Sequence, residues 1–169
     1  MTTWIWIFIA AVIAQRLVEL SIAKSNEKWL KRMGGIEKGE KHYKWFIFLH
    51  CSFFISVIVE TALKNDPSSS LNYVLLFIFL TAQVGRVWCM QSLGRFWNTK
   101  VIVLPGVALI KQGPYRYVKH PNYIIVAVEL FTIPLLVGAQ WTAVLFPLLH
   151  ILLLRVRIPR EEKALTRAT

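Results

Sequence analysis

Six ionisable side chains fall inside stretches that are otherwise apolar: Arg16, Glu19, His50, Arg86, Glu129 and His150. Such groups are costly in hydrocarbon and generally face a protein interior or a wet cavity. Counted at about 1.5 Å per residue from the basic ends of their segments, all of them lie roughly 6–11 Å deep, in one layer. Arg16 and Glu19 are three apart and can pair on one helical face. His50 and His150 can serve as hydrogen-bonded core histidines, and Arg86 can extend to the nearer surface. Glu129 has no such local answer: it sits within Ile124 to Leu136 with no cation nearby in sequence, so it needs a partner from another helix or a proton. Together these residues predict a polar pocket open to one side of a membrane. Within it Glu129 or His50 can take a proton from a hydroxyl, while an arginine such as Arg86 or Arg155 can orient a carboxylate. A channel would also need polar groups through the other half of the layer, where Glu60 stands almost alone.

A second constellation is Gly113-Pro114-Tyr115-Arg116-Tyr117-Val118-Lys119-His120-Pro121-Asn122-Tyr123. Pro121 suits the first turn of a helix, whose free N–H groups make an anion site. That site can hold a carboxylate or phosphate while the tyrosines and His120 cover a purine. The same composition also suits an interfacial turn anchored by Tyr and Lys. Cys51 and Cys89 lie in apolar runs and form neither a CxxC nor a Cys/His ligand pattern, so no disulfide framework and no metal site are expected.

The elements that must carry these groups are membrane helices. Of the 169 residues, 56% are hydrophobic and 17% charged, and the mean hydropathy is +0.50; a soluble domain is not this apolar. The length allows one helical bundle, a single domain over 1–169. Apolar runs predict about five transmembrane helices, near Thr3–Ala23, Trp45–Leu63, Leu71–Met90, Tyr123–Gly138 and Trp141–Leu154. The last two should form a helical hairpin with Gly138, Ala139 and Gln140 at its tip and kinks at Pro134 and Pro147. No basic residue or small-residue cleavage site marks the first span as a signal peptide. A short turn is expected over Asp66 to Ser70, and Lys24 to Lys44 reads as an interfacial helix broken at Gly34 and Gly35.

The net charge of +11 suggests nucleic acid in a soluble protein, but here Lys and Arg flank apolar segments, where they set orientation and meet anionic lipid. Nucleic acid is therefore excluded as a partner. Lys24, Lys28, Lys31, Arg32, Lys38, Lys41 and Lys44 crowd the first loop, whereas 64–70 holds one Lys and the hairpin tip no charge. The N-terminus is expected outside, with the first loop, the segment Gly94 to Asn122 and the C-terminal tail in the cytoplasm.

The string GPYRYVKHPNY resembles the RHPxY signature of the isoprenylcysteine carboxyl methyltransferase family, with Lys119 in place of the usual Arg. Leu93-Gly94-Arg95-Phe96-Trp97 and Arg160-Glu161-Glu162-Lys163-Ala164-Leu165 extend the similarity over about 93–165. Gly34-Gly35-Ile36-Glu37, His42-Tyr43 and Leu49-His50 look like the bacterial branch that includes O-methyltransferases of alkylpyrones and alkylresorcinols. The resemblance implies a membrane enzyme that uses S-adenosylmethionine. Its cofactor site would comprise Tyr115, Lys119, His120, Pro121, Tyr123, Glu161 and Glu162 in a cytoplasmic loop and tail. Lys119 keeps the charge of Arg but loses its bidentate fork. The acceptor would be a lipophilic small molecule bearing a phenol, enol or carboxylate oxygen, with Glu129, His50 and Arg86 around it, and the location the plasma membrane of a prokaryote.

Membrane sterol and enone reductases that use nicotinamide carry a similar C-terminal segment but are longer chains. A noncatalytic scaffold or a small transporter is a further alternative; a transporter would call for inverted repeats, which the sequence lacks. The predicted orientation has a direct check. A cysteine placed at Ser69 should react with an impermeant reagent from outside, and one placed at Lys111 should not; the reverse pattern would turn the bundle over.

Overall fold

The computed structural model describes residues 3–38, 40–64, 71–108 and 110–166. It is nearly all helical: α1 Thr3–Arg32, α2 Glu40–Leu63, α3 Tyr73–Leu93, α4 Pro121–Leu136 and α5 Gln140–Thr166. Short 3-10 turns at Gly94–Phe96 and Gly113–Arg116 and two three-residue strands, β1 Ile36–Lys38 and β2 Val101–Val103, complete the described elements. Helices α1, α2, α3 and α5 are long and apolar enough to cross a membrane; α4, with 16 residues, is equally apolar but shorter. In hydrocarbon every backbone polar group must be satisfied within the protein, and the helix does so inside a single segment.

Helix α4 packs against α3 on one side and α5 on the other, and α5 also lies against α2. The core is made from one stripe of each helix: Ile5, Ile9 and Val12 of α1, Leu49, Phe53 and Val57 of α2, Phe79 of α3, Leu130 and Ile133 of α4, and Phe146 of α5. Spacings of three and four put each stripe on one face. Edge-to-face aromatic pairs join the stripes, Phe8 with Phe79 at 5.3 Å and Phe53 with Phe146 at 5.4 Å. The outward faces are equally apolar, with Phe48, Ile55, Phe77, Val84 and Leu152 exposed, as a lipid-facing surface requires.

Between α1 and α2 the chain departs from expectation. Among the described residues no separate interfacial helix forms over Lys24–Lys44. Instead α1 runs on through Lys24 to Arg32, and the chain turns at Gly34 (φ +90°) into a strand. That strand, β1, pairs antiparallel with β2, Ile36 opposite Val103 and Lys38 opposite Val101. Gly35 is required by contact rather than by conformation: a Cβ there would lie 2.8 Å from the Leu30 carbonyl oxygen and 2.9 Å from Ile102 Cγ2. The ribbon is tied to α1 by an alternating ionic cluster. Lys31 Nζ lies 2.5 Å from Glu27 and 2.8 Å from Glu37, and Lys100 Nζ lies 2.8 Å and 3.1 Å from the same two carboxylates. Burial opposes ionisation of Glu37, but hydrogen bonds from Lys31 and Lys100 outweigh it and hold the carboxyl below its usual range.

Helices α4 and α5 are continuous through Pro134 and Pro147, and Val137-Gly138-Ala139 joins them with Gly138 at φ +83°. The turn expected over Asp66 to Ser70 lies outside the described residues. Glu60 has a use that the sequence did not reveal. Its carboxylate accepts from the backbone N–H groups of Trp141 and Thr142, both at 2.9 Å, and from Thr142 Oγ1 at 2.7 Å. The start of α5 is thus capped by a side chain from α2. Lys64 donates to the Gly138 carbonyl beside it. Glu60→Ala should lower stability by about 1–2 kcal/mol, the usual cost of losing a helix cap, seen as a lower thermal midpoint in detergent. Glu60→Gln, which keeps acceptor oxygen, should lose less.

Candidate functional site

The layer of ionisable residues closes into one hydrogen-bonded network. Glu129 Oε1 accepts from Arg16 Nη2 at 2.6 Å, Gln83 Nε2 at 2.7 Å and Arg86 Nε at 3.0 Å, and Oε2 accepts from Arg86 Nη2. Glu19 Oε2 is shared by Arg16 Nη1 at 2.6 Å and Arg86 Nη1 at 3.2 Å. Gln15 Nε2 bridges Glu19 Oε1 at 3.0 Å and Gln83 Oε1 at 2.6 Å. Two guanidiniums thus meet two carboxylates across α1, α3 and α4, and the formal charges cancel. The expected pairing of Arg16 with Glu19 forms, but Arg16 also reaches the partner that Glu129 needed. Gln15 and Gln83, uncharged and at ordinary helical positions, gave no signal in the sequence.

A small cavity opens beside this network. Arg16, His50 and Glu129 form its polar side, and Phe53, Val126 and Ile133 are among its apolar walls. His50 Nδ1 is 2.8 Å from the Phe46 carbonyl oxygen, one turn back on α2. His150 is buried, with Nε2 3.4 Å from the Tyr123 carbonyl oxygen and its ring edge-on to Phe46. The structure therefore brings Glu129 and Arg86 into direct contact and sets His50 on the neighbouring wall.

The second constellation assembles where α4 begins. Pro121 takes the first turn, as Pro does where the backbone N–H has no helical partner. The rings of His120 and Tyr123 stack, with centroids 5.4 Å apart at 22°. The Tyr123 hydroxyl donates to Glu161 and accepts from Arg157 Nε at 2.6 Å. His120 lies 3.9 Å from Glu161 and 3.5 Å from Glu162, and Lys119 Nζ is 3.5 Å from Glu162. Tyr115 is turned onto α3, in hydrogen-bond contact with Cys89; burial first, then that neighbour, pushes its phenol above the usual range. The loop can come this close because Gly113 faces Ser92, whose Oγ would lie 2.0 Å from an added Cβ.

Arg157, which the sequence reading did not select, ties this region together. Besides Tyr123 it donates through Nη2 to the Thr99 carbonyl at 2.7 Å, and its guanidinium lies 4.7 Å from the centre of the Phe46 ring. One signal was available: Arg157 stands one helical turn before Glu161. Tyr43 meets Thr99 Oγ1 at 3.1 Å. A second cavity lies here, walled by Lys38 and Lys100 at the ribbon, Tyr43 of α2, and Arg157, Arg160 and Glu161 of α5.

The fold and these two sites define a small helical membrane protein whose polar chemistry sits at one end of the bundle. Residues 74–167 match the isoprenylcysteine carboxyl methyltransferase family, and the chain belongs to that family. It is thus an integral membrane protein of a methyltransferase class. It is 46% identical to the uncharacterized protein YpbQ of Bacillus subtilis (strain 168), over 95% of each chain. It is 29% identical to an uncharacterized protein of Haemophilus influenzae, over 93% of this chain and 92% of the other.

Removing one member of a buried ionic group strands its partners, at a cost of about 3–5 kcal/mol. Arg86→Met should therefore destabilise the detergent-solubilised protein by about that much. Adding Glu129→Gln to Arg86→Met should restore part of the loss, because it removes the stranded charge. An Arg86→Met protein that unfolds at the wild-type temperature would show that the network does not hold the bundle.

Proposed function

We propose that this protein transfers a methyl group from S-adenosylmethionine to an oxygen, phenolic, enolic or carboxylic, of a lipophilic acceptor at the cytoplasmic face of a prokaryotic plasma membrane. The observation that carries this reading is a single face of α2. Tyr43 lines the cation-rich cavity, Phe46 lies beneath Arg157, and His50 and Phe53 line the cavity within the bundle. Spacings of three and four align these side chains. The cavity at Tyr43 and the cavity at His50 therefore stand end to end along α2, about two turns of helix apart.

The residues at the water side suit the cofactor. Among the described residues Asn122 Oδ1, beside His120, is buried without a hydrogen-bond partner, an acceptor open to an amino group or hydroxyl. Glu161 and Glu162 supply negative charge for an ammonium, Arg160 positive charge for a carboxylate, and the stacked His120 and Tyr123 rings an aromatic surface for a purine. Pro121 opens α4, Lys119 pairs with Glu162 at the surface, and Tyr115 fastens the loop to α3. Arg157 holds the Tyr123 phenol in its bond to Glu161, so this wall is ordered before anything binds. The bound cofactor would supply an electrophilic methyl group on a sulfonium.

The acceptor reaches the inner cavity from the bilayer, with its tail among the apolar walls and its oxygen towards His50 and Glu129. This reading sets the basic end of the bundle in the cytoplasm and the N-terminus outside. The likeness to the bacterial branch favours alkylpyrones or alkylresorcinols as acceptors. Replacing both Glu161 and Glu162 by Gln should weaken cofactor binding at least about tenfold, or 1.4 kcal/mol, measured by calorimetry on the detergent-solubilised protein, while the protein stays folded. Unchanged affinity would leave the tail as a charged helix end only.

A further inference from the structure

The layer inside the bundle contains two carboxylates and two histidines, and the structure separates them by how fully each is already engaged. Glu129 receives hydrogen bonds from Arg16, Gln83 and Arg86. Its lone pairs are committed, and a proton placed on it would strand charge on two guanidiniums in a medium that cannot solvate them. Glu19 is held by the same arginines and by Gln15. His150 is buried beneath Phe46 and does not line the cavity. His50 does line it, and its ring state follows from one contact. The Phe46 carbonyl can only accept, so Nδ1 at 2.8 Å must carry the hydrogen. In the neutral ring Nε2 is then a free lone pair.

We propose that His50 Nε2, and not Glu129, is the base that takes the proton of a hydroxyl acceptor. The assignment rests on the reading of the inner cavity as the acceptor site. As the acceptor oxygen gains the methyl group, its O–H bond breaks and the proton passes to Nε2. The electron pair of the methyl–sulfur bond stays on the donor's sulfur, so the positive charge of the sulfonium reappears on the imidazolium. The groups facing that imidazolium are Arg16 of α1, Arg86 of α3, Glu129 of α4 and His150 of α5.

The test uses His50→Asn, whose amide keeps a donor for the Phe46 carbonyl while removing Nε2, beside His50→Ala, which removes both. In cofactor-free protein in detergent, a 4-nitrophenol carrying a long alkyl chain reports its own ionisation through the phenolate absorption band. Wild-type protein should raise that band on binding, and both variants should lose the rise. In methyl transfer to a long-chain alkylphenol, His50→Asn should lower kcat by about 10²-fold, the usual contribution of a general base. The loss should shrink with a long-chain dinitrophenol, which is ionised before it binds. An absent band change in wild type, or equal losses on both acceptors, overturns the assignment; so does a His50→Asn protein as active as wild type. A band change that depends on His50, in a protein that methylates neither acceptor, supports the base and counts against the proposed function instead.

Discussion

The arrangement of this bundle depends on charge neutrality inside hydrocarbon. Arg16 and Arg86 balance Glu19 and Glu129 across α1, α3 and α4, with Gln15 and Gln83 closing the ring. Apolar packing between membrane helices is weakly directional, because lipid tails solvate leucine as well as another helix does. A ring of matched donors and acceptors is not permissive in this way. It fixes the rotation of α1 about its axis, the register of α3 against α4, and the wall on which the inner cavity opens. The apolar stripes fill in around those constraints.

That dependence explains what could be read from sequence. Apolar runs and flanking cations marked the membrane segments, since hydrocarbon permits few backbone solutions. The isolated carboxylate of Glu129 announced a partner on another helix without naming it. Arg16 was masked by its proximity to Glu19, which offered a sufficient local explanation. The ribbon was invisible for a different reason: each strand has only three residues and is stabilised by ion pairs with α1 and by the absence of a side chain at Gly35, features that alternation of hydrophobicity does not encode. Lys24 to Arg32, although charged, continues α1 because a helix leaving the membrane has no reason to stop until Gly34 offers a turn. The HPxY segment and the paired glutamates were legible as a motif; that Arg157 binds them to each other was not.

The two cavities share one wall element but differ in the chemistry they favour. The outer one is lined by fixed charges of both signs, suited to a polar, water-borne molecule, whereas the inner one exposes only groups that are already paired, apart from one imidazole nitrogen. The ring of Phe46 lies at the junction, with a guanidinium on one side and the buried imidazole of His150 on another. A flat aromatic ring can transmit position between the two sites while excluding water from the inner one.

The distribution of charge also bears on how the protein enters the membrane. Helix α1 brings Arg16 and Glu19 together and can partition as a neutral segment. Helices α3 and α4 each carry a single charge, Arg86 on one and Glu129 on the other, and an unmatched charge costs about 2.5–3.5 kcal/mol on insertion scales. Their charges are opposite and the helices follow one another along the chain, so placing the two in lipid together cancels a cost that either would meet alone.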